Sequence, residues 1–206
     1  MEFYEAVRSR RTVREFERKE VPEKTVERIL EAGLMAPTND HKREWEFVVI
    51  RGEKNIERVL DQVSKNAAVQ LDKVKNNAQM GVCQKNMYLE AVPRQHKMLR
   101  DSGCLIIPFF KPNGEFLHPA AQNALNPFAS IWCCIENILL AAAAEGLGCA
   151  LRIPTGDEPE YVMKAVKAPE GYRMACYLGL GYPAKERVTV VQPEVNIKEK
   201  IHMEEW

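Results

Sequence analysis

The sequence has no net charge: 29 Lys and Arg are balanced by 29 Asp and Glu over 206 residues. Such a chain has no general attraction for nucleic acid or an acidic membrane surface, so an anion site has to come from a local cluster of basic residues. A signal-peptide pattern is missing as well. Residues 1–9 are amphipathic and charged, with neither an apolar core nor a small-residue cleavage site. No uninterrupted apolar run approaches the ~20 residues that a bilayer-crossing helix requires; the longest lies near residues 138–144. Together these absences lead to the expectation of a cytoplasmic protein without a nucleic-acid or membrane partner.

Several chemistries are absent too. The six cysteines form no Cys-x-x-Cys pair and have no His at zinc-ligand spacing. Most lie in apolar stretches and read as buried free thiols. There is no His-Glu-x-x-His, no Gly-x-Ser-x-Gly and no phosphate-binding G-x-x-x-x-G-K-[ST]. Gly146-Leu147-Gly148 follows a helix and precedes a strand, the reverse of the order in a dinucleotide-binding fingerprint. Neither a metal site nor a nucleophile is expected.

The elements that remain are legible from periodicity. Helices are expected over residues 2–8, from Pro22 to about Leu34, over 53–77, over 84–100 with a break at Pro93, over 128–145, and over 159–168. Strands are expected at 47–50, 104–110, 149–153 and 173–179, and Gly146 is placed to cap the 128–145 helix. The stretch 111–126 reads as a loop long enough to be functional. From residue 184 the tail is polar and aperiodic yet ends in Trp206, which suits a segment lying over a second subunit.

Two clusters could carry function. In Arg10-Arg11-Thr12-Val13-Arg14, an extended backbone would turn Arg10, Thr12 and Arg14 to one side. Two guanidinium forks and a hydroxyl suit a phosphate group, although a solvated basic turn explains the same residues. In Ala36-Pro37-Thr38-Asn39-Asp40-His41, polar groups gather between a helix and a buried strand, where loops commonly carry function. A plain capping turn, with Asn39 left-handed, is the alternative.

In order along the chain, these blocks resemble those of the nitroreductase family of FMN-dependent oxidoreductases. Arg10-Arg11-Thr12-Val13-Arg14-Glu15-Phe16 is similar to the family's Arg-Arg-Ser-x-Arg-x-Phe. The stretch from Ala36 through Trp45 to Val49 is similar to Ala-Pro-Ser-x-x-Asn-x-Gln-Pro-Trp-x-Phe-x-Val, with His41, Arg43 and Glu44 in place of the usual Asn, Gln and Pro. Residues 137–148, with Gly179-Leu180-Gly181-Tyr182-Pro183, match the family's glycine-closed helix and late Gly-Tyr-Pro.

The resemblance implies an α+β, nitroreductase-like fold: a central, mainly antiparallel sheet flanked by helices, in an intertwined homodimer. One domain would span 1–206, with the tail 184–206 extending over the partner subunit. FMN would lie at the interface, held by Arg10, Arg11, Thr12 and Arg14 of one subunit and by Pro37, Thr38, Asn39 and His41 of the other. Leu151 and Arg152 would run along the flavin ring, their backbone offering an N–H to N5. Arg14 would place a fixed cation near the atoms that gain negative charge on reduction. The implied reaction is ping-pong transfer from NADH or NADPH to a small acceptor such as a nitroaromatic or quinone, with the flavin carrying the chemistry. Reductive dehalogenation, enone reduction, flavin reduction and non-catalytic flavin binding are alternative uses of the same scaffold.

Overall fold

The computed structural model describes residues 1–187 and 194–206. Its centre is a five-stranded sheet in the order β1-β2-β5-β3, with β4 pairing to β2 off that path. The strands are β1 (Trp45–Ile50), β2 (Cys104–Phe110), β3 (Gly148–Arg152), β4 (Arg173–Met174) and β5 (Tyr177–Gly181). All the strand pairings are antiparallel. The helices are α1 (Phe3–Ser9), α2 (Glu23–Leu34), α3 (Glu53–Asn76), α4 (Val82–Arg100), α5 (Asn126–Ala144) and α6 (Glu158–Ala165). The α+β class and the antiparallel sheet are as the sequence implies.

The two-residue period of the strands divides the core into two clusters. Cys104, Ile106 and Phe110 of β2 face α2 and α5, joined by Leu178 and Leu180 of β5. Leu105, Ile107 and Phe109 face α3, α4 and α6 with Tyr177. Every residue of β2 is buried, so the strand reads as a continuous apolar run rather than an alternating one.

Several elements differ from expectation. The strand expected over 173–179 is two strands. Ala175 donates its N–H to the Pro108 carbonyl at 2.9 Å. In a strand, a residue's N–H and C=O point to the same side, and Pro108 has no N–H to return, so the ladder breaks there into β4 and β5. Pro93 does not interrupt α4, which runs through it with Pro93 on the exposed side. The charged helix α3 is not merely a solvent-facing one: Ile56, Val59, Leu60 and Val63 form a buried stripe.

The helix α5 closes as expected. Gly146 takes φ +74°, and Leu147 and Gly146 donate to the carbonyls of Ala142 and Ala143, which satisfies two of the helix's terminal acceptors. With its preceding 3-10 turn, Gln122–Ala144 is 23 residues long, and its most apolar 18-residue window has a mean hydropathy of 1.5. By length and composition alone it reaches the range of a membrane-crossing helix, a range that core helices reach as well. Glu136 and Asn137 break the run, and the apolar residues on either side keep the average high. Here α5 packs on α2 and the sheet through Ile131, Cys134, Ile135, Ile138 and Ala142, yet only 28% of its most apolar window is buried.

Candidate functional site

The segment after α1 is fastened to the sheet at both ends. Val13 donates its N–H to the Cys149 carbonyl at 2.9 Å, and Thr12 forms a parallel bridge with Cys149. Further on, Glu17 donates to Tyr182 O and Ala184 donates to Glu15 O, both at 2.9 Å, around an antiparallel bridge of Phe16 with Pro183. Val13 and Phe16 are buried, while Thr12 and Arg14 are exposed. Gly148 permits this approach, because a Cβ there would stand 2.4 Å from Val13 Cγ2. The extended backbone and its alternation are therefore as expected.

The arginines divide. Arg10 is half-buried, with Nε 3.6 Å from Glu136 Oε1 on α5. Arg11 turns its Nη1 onto the carbonyls of Arg8 and Arg10, both at 2.7 Å, where it satisfies acceptors at the C-terminal end of α1. Its guanidinium is thus directed to its own backbone. Glu15 stands 3.6 Å from Arg94 and ties the segment to α4.

The second cluster forms a tight loop. Arg43 donates its N–H to Thr38 Oγ1 at 3.2 Å, and Asn39 donates its N–H to Ser130 Oγ at 3.0 Å. Asn126 adds a longer bond to the Asn39 side chain, at 3.4 Å. The left-handed residues are Asp40, His41 and Arg43, at φ +52°, +54° and +48°, and not Asn39. Three non-glycine residues in that region constitute local strain of the kind that gathers at functional sites. Pro37 and His41 are exposed, whereas Thr38 and Asn39 are half-buried. The anchors Asn126 and Ser130 were not singled out from sequence; they are isolated polar residues at the start of an apolar helix, and only the fold brings them to the loop.

These two clusters do not meet within the chain. Among the described residues, no hydrogen bond or ion pair joins 10–14 to 37–41. Arg10 reaches α5 at Glu136, while Asn39 reaches it at Ser130, ~9 Å away along the helix axis.

Leu151 and Arg152 end β3 and face opposite sides. Leu151 packs on the α2/α5 cluster. Arg152 is 4% exposed and enters a buried network with Glu158 and Gln95, so its side chain is committed inside the protein. The backbone is another matter. Cys149 turns outward to meet Val13, and by the two-residue period Leu151 also turns outward. The Leu151 N–H thus points away from β5, to the edge of the sheet. It is a donor on that edge, directly beyond the arginine segment.

Other groups offer less chemistry. Among the described residues, no group of three or more His, Cys, Asp or Glu could hold a metal. Cys104, Cys134, Cys149 and Cys176 are buried free thiols, while Cys133 is exposed on α5. Burial pushes the Cys104 thiol up to about 11 and those of Cys134 and Cys149 up to about 12, and raises Cys176 further. Thiols so shifted do not supply a thiolate nucleophile near neutral pH.

Comparison with known proteins gives the same frame. A candidate NADH dehydrogenase/NAD(P)H nitroreductase of Methanothermobacter thermautotrophicus is 26% identical over 216 residues, covering 100% of this chain and 88% of that protein. An iodotyrosine deiodinase of Haliscomenobacter hydrossis is 25% identical over 203 residues, covering 97% and 86%. Among solved structures, a BluB-like flavoprotein from Clostridium difficile 630 superposes with a TM-score of 0.77 at 20% identity, covering 98% and 99% of the two chains. An iodotyrosine deiodinase bound to FMN and 3-iodo-L-tyrosine superposes with a TM-score of 0.74 at 20% identity, covering 95% and 97%. The nitroreductase family model matches residues 7–182. Its span takes in the arginine segment, the strained loop and the open edge of β3, and the chain belongs to the nitroreductase family.

Proposed function

We propose that the protein is an FMN-dependent oxidoreductase that works as a homodimer and passes electrons from NADH or NADPH to a small acceptor. One observation carries this reading: Thr12 and Arg14 face outward from a strand fixed to Cys149, beside the edge-facing N–H of Leu151. Such a surface offers fixed cations to a phosphate at one end and a backbone donor to a flat ring at the other. The donor set fits FMN. FMN, when bound, supplies the redox chemistry itself.

In this reading Arg10 and Arg14 bind the phosphate and the polar edge of the ring, Thr12 contributes its hydroxyl, and Arg11 flanks them. Leu151, with the Arg152 backbone, lies along the ring. The second subunit supplies Pro37, Thr38, Asn39 and His41, which the separation of the two clusters within one chain supports. The uncovered side of α5 and the exposed Phe3, Tyr4 and Val7 of α1 supply an apolar surface for that subunit. The whole chain forms one cytoplasmic domain, and its tail from residue 184 lies over the partner. Residues 188–193 of that tail are outside the described residues, but Val195, Ile197, Ile201, Met203 and Trp206 are exposed, as a tail awaiting a partner requires.

The test is the visible spectrum of the purified protein, with the released chromophore identified by mass. A yellow dimer releasing FMN in proportion to chain, and oxidising NADH or NADPH with a nitroaromatic or quinone, is the expected result. A colourless protein that takes up no added FMN overturns the proposal. The likeness to iodotyrosine deiodinases supports a second reading, reductive dehalogenation. Release of halide from a halotyrosine, compared with nitroaromatic turnover, separates the two.

A further inference from the structure

The end of β3 is held from behind by polar residues that the proposed function does not use. Glu158 is fully buried and Arg152 nearly so. Their ion pair is bidentate: Arg152 Nη2 donates to Glu158 Oε1 at 2.8 Å, and Nη1 donates to Oε2. The third side of the guanidinium is taken by α4, where Arg152 Nε donates to Gln95 Oε1 at 2.9 Å. From α3, Asn66 Nδ2 lies within 3.0 Å of the Thr155 carbonyl and 3.2 Å of Glu158 Oε1. Thr155 Oγ1 donates to Glu158 Oε1 at 3.0 Å. The segment from Arg152 to Glu158 is therefore pinned to both long helices.

Burying a charged pair gains little stability over an apolar pair of the same size. What it does give is geometry, because a guanidinium with three satisfied edges has one orientation. That orientation sets the backbone of Arg152, and so of Leu151 beside it. We propose that Asn66 and Gln95 are positioning residues: through the Arg152–Glu158 fork they fix the Leu151 N–H and the 153–157 loop against the flavin ring, and thereby set its reduction potential. This rests on the FMN reading above. It adds that α3 and α4, whose outer faces are solvated, act on the cofactor without touching it.

The test uses Asn66→Leu and Gln95→Leu separately, so that neither the charge nor the buried pair is removed. Hydrogen exchange is followed in the peptide spanning 150–158 of the FMN-free protein, and the midpoint potential and visible spectrum are recorded for the FMN-loaded dimer. Each variant is expected to exchange about tenfold faster in that peptide, and the flavin potential is expected to move, with Arg10 and Arg14 untouched. Faster exchange with an unchanged potential and spectrum would make the network purely structural and overturn the proposal. Unchanged exchange would overturn it too. If one variant does not fold, the other decides. Wild-type protein that binds no FMN would instead remove the underlying functional reading, and the positioning role with it.

Discussion

The two faces of the sheet are built on different terms. Toward α2 and α5 the buried layer is wholly apolar, with Cys104, Cys134, Cys149 and Cys176 packed among Ile, Leu and Val. Toward α3, α4 and α6 the layer ends in the Arg152–Glu158 pair and its amide partners. The first face is simple, but its covering helix α5 keeps Phe128, Trp132 and Leu139 only half-buried. On the second, polar chemistry is buried beneath α3, whose outward residues are largely charged. One side is closed by a charged helix, and the other carries the surface proposed above for a second subunit.

Removing one half of the polar layer is the strongest way to break this contrast. Glu158→Ala leaves a buried guanidinium uncompensated and should cost ~3–5 kcal/mol in denaturant unfolding. Replacing both Arg152 and Glu158 with Leu should recover most of that loss; equal damage from the single and double variants would show that the pair is not coupled. Next in size is the edge of β3. Gly148→Ala drives a Cβ into Val13 and should cost ~1–3 kcal/mol, as overpacking does. Arg10→Ala or Arg14→Ala should leave folding intact and weaken FMN binding by ~1.5–3 kcal/mol, the typical worth of a charge-assisted bond; unchanged affinity in both removes them from the site.

Alkaline unfolding probes the apolar face. Buried thiols favour the neutral form, so their contribution is intact below the ordinary thiol value of 9.0 and is withdrawn as pH rises toward about 11 to 12. Replacing Cys149 with Ala should flatten that decline in a pH series of melting temperatures. The smallest effect is at the surface: Arg28 pairs with Glu145 in a solvated position between α2 and α5, and Arg28→Ala should leave the midpoint of unfolding unchanged within error.

Local signals carried much of the fold. The strand β2 is bounded by Gly103 and Lys111 and was legible to the residue, and Gly146 marked the end of α5. What the sequence withheld depends on distant neighbours. The break between β4 and β5 is caused by a proline on a different strand. The partners of the Arg152–Glu158 pair come from α3 and α4, with Gln95 lying 57 residues before Arg152 and Asn66 92 residues before Glu158, and no periodicity encodes them. At the candidate site, the exposure of Thr12 and Arg14 around buried Val13 followed from extended geometry, while Arg10 is half-buried against Glu136 on α5. The edge-facing donor at Leu151 was implied only by the family resemblance, and in the fold it emerges from the position of β3 at the sheet edge. The left-handed backbone that a plain capping turn would put at Asn39 falls instead on Asp40, His41 and Arg43.

Pro108 has a consequence outside the native state. The seven residues of β2, Cys-Leu-Ile-Ile-Pro-Phe-Phe, are uncharged and strongly strand-forming. Free of the fold, on a ribosome or in a refolding mixture, such a segment would stack on copies of itself into cross-β fibrils, and a proline at its centre denies that stack a continuous ladder. A Val at this position would fit the finished sheet, yet the chain would be harder to produce without loss to aggregates.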